Sequence, residues 1–369
     1  MIANPFVPQH LVGRESELQQ VLQILSEDGD LVIAGVPGSG RRSLIRWAAQ
    51  KVGTRVVEID CLRATDGVRF LHLLAESLMS VFTTLEELTL INRWMRSHPL
   101  SLEELPNGQA RFVWHLTPGG EWAIIQTLLS LPQAIAQQLG CRVLMVFLHF
   151  PHIRSWDRDS KWEAFLRQEI TSQTHVSYAL IATVAEPWMQ ANSSLQVVYL
   201  APLPDQDLCG WIETAMMSEQ LKFAPDGQAL ALFLSYVQGH LGDAIALARR
   251  IWLDCRISSP LPVSSNEVLI QPHHVHRSTL ALVEDLSITF ESLILLLPPS
   301  QVQVLESLAL DPTDSPHSRE YIRKHKLSRG GSLQGALASL EHKGLVYGPK
   351  YGYRIALPLL TFWLKQRIG

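Results

Sequence analysis

Residues 35–44 read Gly-Val-Pro-Gly-Ser-Gly-Arg-Arg-Ser-Leu, GVPGSGRRSL. The preceding residues 30–34, DLVIA, form a short apolar run, and RRSLIRWAAQKV after the glycines places Leu44, Ile45, Trp47 and Ala48 at helical spacing. Strand, glycine turn and helix together make the setting of a phosphate-binding loop. Glycines let backbone N–H groups approach phosphate oxygens, and the helix N-terminus adds partial positive charge. Gly35, Gly38 and Gly40, with Ser39 between the last two, supply such a nest. The pattern then requires Lys followed by Ser or Thr, but Arg41 and Arg42 stand there, and Ser43 comes one residue late. Lysine is a compact charge for the β and γ phosphates, and the hydroxyl is a ligand for Mg²⁺. The planar fork of Arg41 pairs with phosphate oxygens without replacing lysine geometrically. Arg42 cannot ligate Mg²⁺, and Ser43 falls on another face of the helix as an ordinary helical residue.

Working outward, TRVVEID, RVLMVFLHF and SYALIATVAE read as further strands, and GVRFLHLLAESLMSVF and WAIIQTLLSLPQAIAQQLG as helices. This alternation predicts an α/β fold, a mostly parallel sheet flanked by helices on both faces. Residues 92–122, with three Pro and three Trp, interrupt it as a surface lobe whose tryptophans pack. Hydrolysis at a phosphate loop also needs one or two carboxylates at the end of an apolar strand, to hold Mg²⁺ and to activate water. The strand VLMVFLHF ends in Leu148 and His149 instead, and Asp157 and Asp159 lie beyond Pro151. His149 reads as structural, with a general base as the alternative. Lysine, metal hydroxyl and acids are thus missing together. The expectation is no catalytic residue, no metal and no Mg²⁺-dependent hydrolysis. Binding of ATP or ADP without Mg²⁺ stays open, because two arginines can offset the charge that the metal normally balances.

The chain has 369 residues, 47% hydrophobic and 18% charged, enough for two or three domains with real cores. The formal net charge of −4 hides an asymmetry: from Pro316 onward there are 10 Lys/Arg against 2 Asp/Glu, and before it 21 against 33. A basic tail on an acidic body points to an anionic partner for the tail. Four scattered cysteines without metal-ligand spacing read as reduced thiols. With no signal pattern at MIANPFVPQH and apolar runs too short for a span, the expectation is a cytoplasmic protein that does not enter membranes.

Residues 256–290 begin rich in Ser, Pro and His and read as a solvated linker that becomes helical. His273, His274 and His276 have no Cys or carboxylate at ligand spacing. From residue 298, PPSQVQVLESLAL, SREYIRKHKL and SLQGALASLEHKGL read as three helices, the last ending at Gly344, and LVYGPKYGYRI as a hairpin. That order is a winged helix-turn-helix. Its candidate nucleic-acid contacts are Arg323, Lys324, Lys326, Arg329, Lys343 and Lys350 on phosphates, with Ser332 and Gln334 at the start of the third helix as base readers. Ala and Leu dominate the rest of that helix, so backbone contact is expected over sequence reading.

Taken together these segments resemble the AAA+-related and STAND-type P-loop ATPases, particularly the archaeal-type ATPase group. FVPQHLVGRESELQQVLQIL resembles the family's entry segment through Phe6, Val12, Gly13, Arg14, Glu15 and Leu18. The resemblance implies that Val12, Gly13 and Arg14 lie on the adenine side. GVPGSGRRSLI is similar to the family's GVPGSGKSSLI, and RVLMVFLHFPHI to its acid-bearing strand with the acids at Leu148 and His149 replaced. IATVAEPW falls at the sensor strand, with Thr183 its polar residue, and LAPLPDQDLCGWIETAM with GHLGDAIALARRIW resembles the helical lid. In the family a lid arginine reaches the nucleotide. Arg249 and Arg250 hold that place, although a solvated helix end is the plainer reading. The implied domains are a P-loop domain at 1–202, a lid and linker at 203–290 and a winged helix at 291–369. The leading expectation is a catalytically inactive adaptor or regulator that assembles with partner proteins or with itself, and with duplex DNA through the winged helix. The alternatives are a switch gated by ATP or ADP with weak or partner-dependent hydrolysis, and a DNA-binding regulator whose body only dimerises.

Overall fold

The computed structural model describes residues 4–104, 110–115, 120–191, 194–258 and 268–368. They form two compact units: Glu15–Ala34 with Arg41–Tyr199, the sheet unit, and Met1–Arg14 with Gly35–Gly40 and Leu200–Gly369, the lid–wing unit.

The sheet unit opens with helix α1 (Glu15–Ser26), strand β1 (Asp30–Ala34), α2 (Arg41–Val52) and β2 (Arg55–Asp60). Next come α3 (Gly67–Val81), α4 (Leu85–Met95) and the antiparallel pair β3 (Ser101–Glu104) and β4 (Ala110–Val113). It ends with α5 (Glu121–Leu139), β5 (Val143–Leu148), α6 (Lys161–Ser172), β6 (Val176–Ala182), α7 (Pro187–Ala191) and β7 (Leu195–Tyr199). The five long-range strands run parallel in the order β2-β5-β6-β1-β7. Residues 143–148 and 176–182 are buried throughout, which is why both strands read as unbroken apolar runs. The edge strand β7 alternates buried Leu195 and Val198 with exposed Gln196 and Tyr199. The expected lobe consists of the end of α4 and the β3–β4 pair. Its tryptophans pack as expected: Trp94 stacks on His98 at 4.1 Å, Trp114 on His72 at 4.7 Å, and Trp122 lies 5.0 Å from Trp162. A Thr84–Glu87 capping box starts α4, and the buried Glu87 also pairs with Arg55 at 2.6 Å.

The lid–wing unit contains α8 (Asp205–Ser218), β8 (Leu221–Phe223), α9 (Gln228–Val237), α10 (Leu241–Ser258), β9 (Val268–Ile270) and α11 (Pro272–Leu295). Phe6 and Val12 join the lid core beside Leu208, Phe233 and Trp252. One expectation changes here. His273, His274 and His276 do not lie in a solvated linker: Pro272 takes the first helical position of α11, and His274 Nδ1 accepts from the Gln271 amide as part of its N-terminal cap. The Ser- and Pro-rich start of that linker, 259–267, lies outside the described residues. The expected boundary between 290 and 291 falls inside α11, which buries Val275 in the lid core and Val283 and Phe290 in the core that follows.

That second core is the winged helix: α12 (Pro299–Leu310), α13 (Arg319–Lys324), α14 (Gly331–His342) and a final α15 (Pro358–Ile368). The expected hairpin is reduced to bridges, with Val346 opposite Ile355 and Thr313 opposite Tyr353, closed by Tyr347 N–H to Arg354 O at 2.9 Å. Among the described residues no helix is long and apolar enough to cross a membrane.

Asp30 begins β1 and accepts the Tyr178 amide at 2.8 Å. Burial pushes its carboxyl up to about 7, against the opposing effect of that hydrogen bond. A folded-state pKa above the unfolded value means a contribution present at low pH that is lost as pH rises through about 7. Asp30→Asn, which keeps an oxygen acceptor, should therefore gain on the order of 2 kcal/mol over the parent at pH 8 and little at pH 4. Urea unfolding at both pH values checks this, and equal stability at pH 8 contradicts it.

Candidate functional site

The glycine loop has the backbone expected of a phosphate nest, with φ of +82° at Gly38 and +93° at Gly40. Ser39 N–H closes onto Val36 O at 3.2 Å, and Ser39 is buried while Pro37 and Gly38 are exposed. Within the same unit the lid meets this loop. Gly242 N–H donates to Gly38 O at 3.2 Å, and His240 Nε2 lies 2.8 Å from Pro37 O. A Cβ on Gly38 would stand 2.6 Å from His240 Nε2, so only glycine fits. His240 is 5% exposed, with Nδ1 3.0 Å from Asp243 Oδ1. Burial opposes charge on the ring, but Asp243 and the Pro37 carbonyl outweigh it and hold the pKa above the ordinary histidine value.

Val36 packs against Tyr347 and Ala356 of the wing, with Tyr351 alongside. Burial pushes the Tyr347 hydroxyl up to about 12, against the pull of nearby Arg354 and Arg14. The entry segment, expected on the adenine side, is engaged inside the protein as well. Arg14 is buried and donates to Ala201 O at 2.6 Å and to Ser39 O at 3.4 Å. Gly13, at φ +56°, lies so close to α8 that a Cβ would come within 2.3 Å of Asp207 Oδ2.

In the sheet unit, both arginines that follow the loop have protein partners. Arg41 is buried, donates from Nη1 to Ala182 O at the end of β6 at 2.8 Å, and is pushed down to about 10 by that burial. Arg42 grips Glu58 of β2 through Nε at 3.1 Å and Nη2 at 2.5 Å, and Arg46, one helical turn on, holds the same carboxylate. Burial alone would raise Glu58, but Arg46 and Arg42 outweigh it and hold the carboxyl below its ordinary range. Ser43 is an exposed residue of α2, as expected. Leu148 ends β5 buried. His149 turns out of the strand at φ +54° and places Nδ1 3.0 Å from Asp60 Oδ1. Asp60 and Leu148 are register partners, so the sheet makes this His–Asp pair from residues 89 apart in sequence. Asp157 is buried and accepts the Lys161 and Glu163 amides at the start of α6. Arg154 joins the buried carboxylates of Glu163 and Glu186.

The lid arginines turn elsewhere: Arg250 pairs with Asp254 and Asp285, and Arg249 is exposed. On the winged helix, Lys324 is held by Asp311 at 2.6 Å and Lys343 by Gln301 at 2.7 Å. Lys350 lies 5.5 Å from the Tyr351 ring centre. Arg323, Lys326, Arg329, Ser332 and Gln334 are exposed. Among the described residues no group of three or more His, Cys, Asp or Glu is placed to hold a metal. Sequence reasoning missed Glu58, Asp60, His240, Asp243 and Tyr347. The one local signal was His240 between two glycines in GHLG; the other four depend on long-range contacts.

A family model described as a probable winged helix domain matches residues 288–366. No curated protein matches the chain in sequence. Among solved structures the chain is similar to the Walker-type ATPase of Pyrococcus abyssi, at TM-score 0.67 and 14% identity over 99% of both chains. It is similar to the Aeropyrum pernix Orc2 protein in its ADPNP–ADP complexes, at TM-score 0.55 and 13% identity over 99% of this chain and 98% of that one. It is also similar to the Aeropyrum pernix Orc1 protein in complex with DNA, at TM-score 0.52 and 14% identity over 98% and 95%. At such identities the likeness concerns the fold: an AAA+-type P-loop fold followed by a helical region and a C-terminal winged helix.

If Arg41 is a structural donor, Arg41→Ala should cost about 1–3 kcal/mol by leaving the Ala182 carbonyl unpaired. Arg42→Ala, at an exposed pair, should cost less than about 1 kcal/mol. Urea midpoints of the two variants test the ranking. Stabilisation by Arg41→Ala would mark it instead as a charge held in reserve for an anion.

Proposed function

We propose that this chain is a non-hydrolysing P-loop protein, an adaptor or regulator that uses its ATPase-type body as a scaffold and its winged helix as a contact for partners. The observation that supports this best is the fate of Arg42. It stands where a Mg²⁺-ligating hydroxyl is required, and its guanidinium is bound to Glu58. Leu148 and His149 take the positions of the acids, and His149 is paired with Asp60. A histidine at that place can accept a proton but cannot hold Mg²⁺ through water as a carboxylate does. The test is calorimetric titration with ATP, with and without Mg²⁺, alongside a phosphate-release assay. The expected result is no phosphate release and no effect of Mg²⁺ on any binding. Mg²⁺-dependent turnover would overturn the reading.

A second reading, a switch gated by ATP or ADP, is supported by the preserved backbone of Gly38 and Gly40. For it, the titration should show tight nucleotide binding, and bound nucleotide should protect the loop amides from exchange.

The winged helix supports contact with duplex DNA through phosphates. Arg323, Lys326 and Arg329 are exposed, while the outward residues Ser332, Gln334, Gly335 and Ala338 of α14 offer little to read base edges. The Aeropyrum pernix Orc1 protein, similar in fold, was solved in complex with DNA. Neutralising Arg323, Lys326 and Arg329 together should weaken duplex binding equally across sequences. It should also reduce the slope of log K against log salt by roughly 2–3. Salt-titrated fluorescence anisotropy measures both, and unchanged binding would move the partner surface away from this face.

A further inference from the structure

Two side chains join the phosphate loop to the last helix of the winged helix, all within the lid–wing unit. His240 Nε2 lies 2.8 Å from Pro37 O, and its Nδ1 lies 3.0 Å from Asp243 Oδ1. The other oxygen of Asp243 accepts the amide of Leu359, in the first turn of α15, at 3.1 Å. Asp243 thereby satisfies one of the orphan donors at that helix start, where a carboxylate is also favoured by the helix dipole. The chain of contacts is Pro37 carbonyl, imidazole, carboxylate, α15 amide.

We propose that His240 and Asp243 form a proton-operated latch that fastens the winged helix to the phosphate loop. The chemistry of the ring makes it two-state. The imidazolium donates Nε2–H to Pro37 O and Nδ1–H to Asp243 Oδ1. The neutral ring keeps Nε2–H on Pro37 O, and its Nδ1 then accepts the Asp243 backbone amide, 3.1 Å away. Loss of the proton thus removes the donor from the carboxylate that caps α15 and places a lone pair opposite it. The ring is buried, so only the partly exposed Asp243 side of the lost bond meets water. From the wing, Tyr347 interacts with Asp243, and also with Arg354, Tyr351 and, in the entry segment, Arg14. The titrating group of the latch is His240. Its pKa is raised on folding, despite burial, by Asp243 and the Pro37 carbonyl. The latch is therefore closed below the ordinary histidine value and opens as pH rises through the raised one.

The test is NMR on the full chain from pH 5.5 to 9, following the His240 ring carbon and the exchange protection of the Leu359 amide, corrected for intrinsic rates. The expected result is a titration midpoint above that of an ordinary histidine, with Leu359 protection falling roughly 5- to 10-fold across the same range. His240→Gln keeps a donor for Pro37 and cannot titrate, so Leu359 protection should become independent of pH. Asp243→Asn should lower the His240 midpoint and remove the pH dependence. Leu359 protection that is flat in the parent, or that keeps its pH dependence in His240→Gln, overturns the latch.

Discussion

Strand β1 is hydrogen-bonded on both edges, to β6 and to β7, and is buried from Leu31 to Ala34. Its chain must leave the sheet at the carboxyl end through Gly35–Gly40, and the backbone there takes positive φ at Gly38 and Gly40. That constraint precedes any ligand. A strand flanked on both sides cannot shift its end without breaking two ladders. The glycines persist for a local reason as well. A side chain on Gly38 would collide with His240, which links the loop to Asp243 and, through it, to α15.

Charge around the loop is settled inside the protein. Two arginines at the start of α2 would be unfavourable against the helix dipole with no acid in the first turn. The carboxylate of Glu58 compensates for Arg42 and Arg46, and the carbonyl of Ala182 takes Arg41. His149 is likewise paired, with Asp60. Each substituted position of the phosphate-loop pattern has thus acquired a protein partner suited to its new side chain. This coherence fits a chain whose residues have settled into structural roles, and it gives the non-hydrolysing reading its physical content.

Much of the fold could be read from the chain because its signals are local. Unbroken apolar runs at 143–148 and 176–182 mark strands buried on both faces, and Leu44, Ile45 and Ala48 mark the inner face of α2. The three helices of the winged helix were equally plain from spacing and from the turn at Gly330 and Gly331. Strand β7 was missed because an edge strand is short and half polar. Helix α11 was partly missed because a run of histidines after proline resembles a linker until its cap is seen.

By itself the sequence determined the glycine turn, its flanking strand and helix, and the absence of Lys, Ser or Thr and acids at the three positions that Mg²⁺ chemistry needs. Those are properties of residue type and spacing, carried by neighbours within a turn or two. Only the tertiary structure decided where the replacements point, Arg42 to Glu58 and His149 to Asp60, and that Asp243 takes the amide of Leu359. Each partner lies 16, 89 or 116 residues away, and strand order and helix docking, which no local pattern encodes, bring the two together.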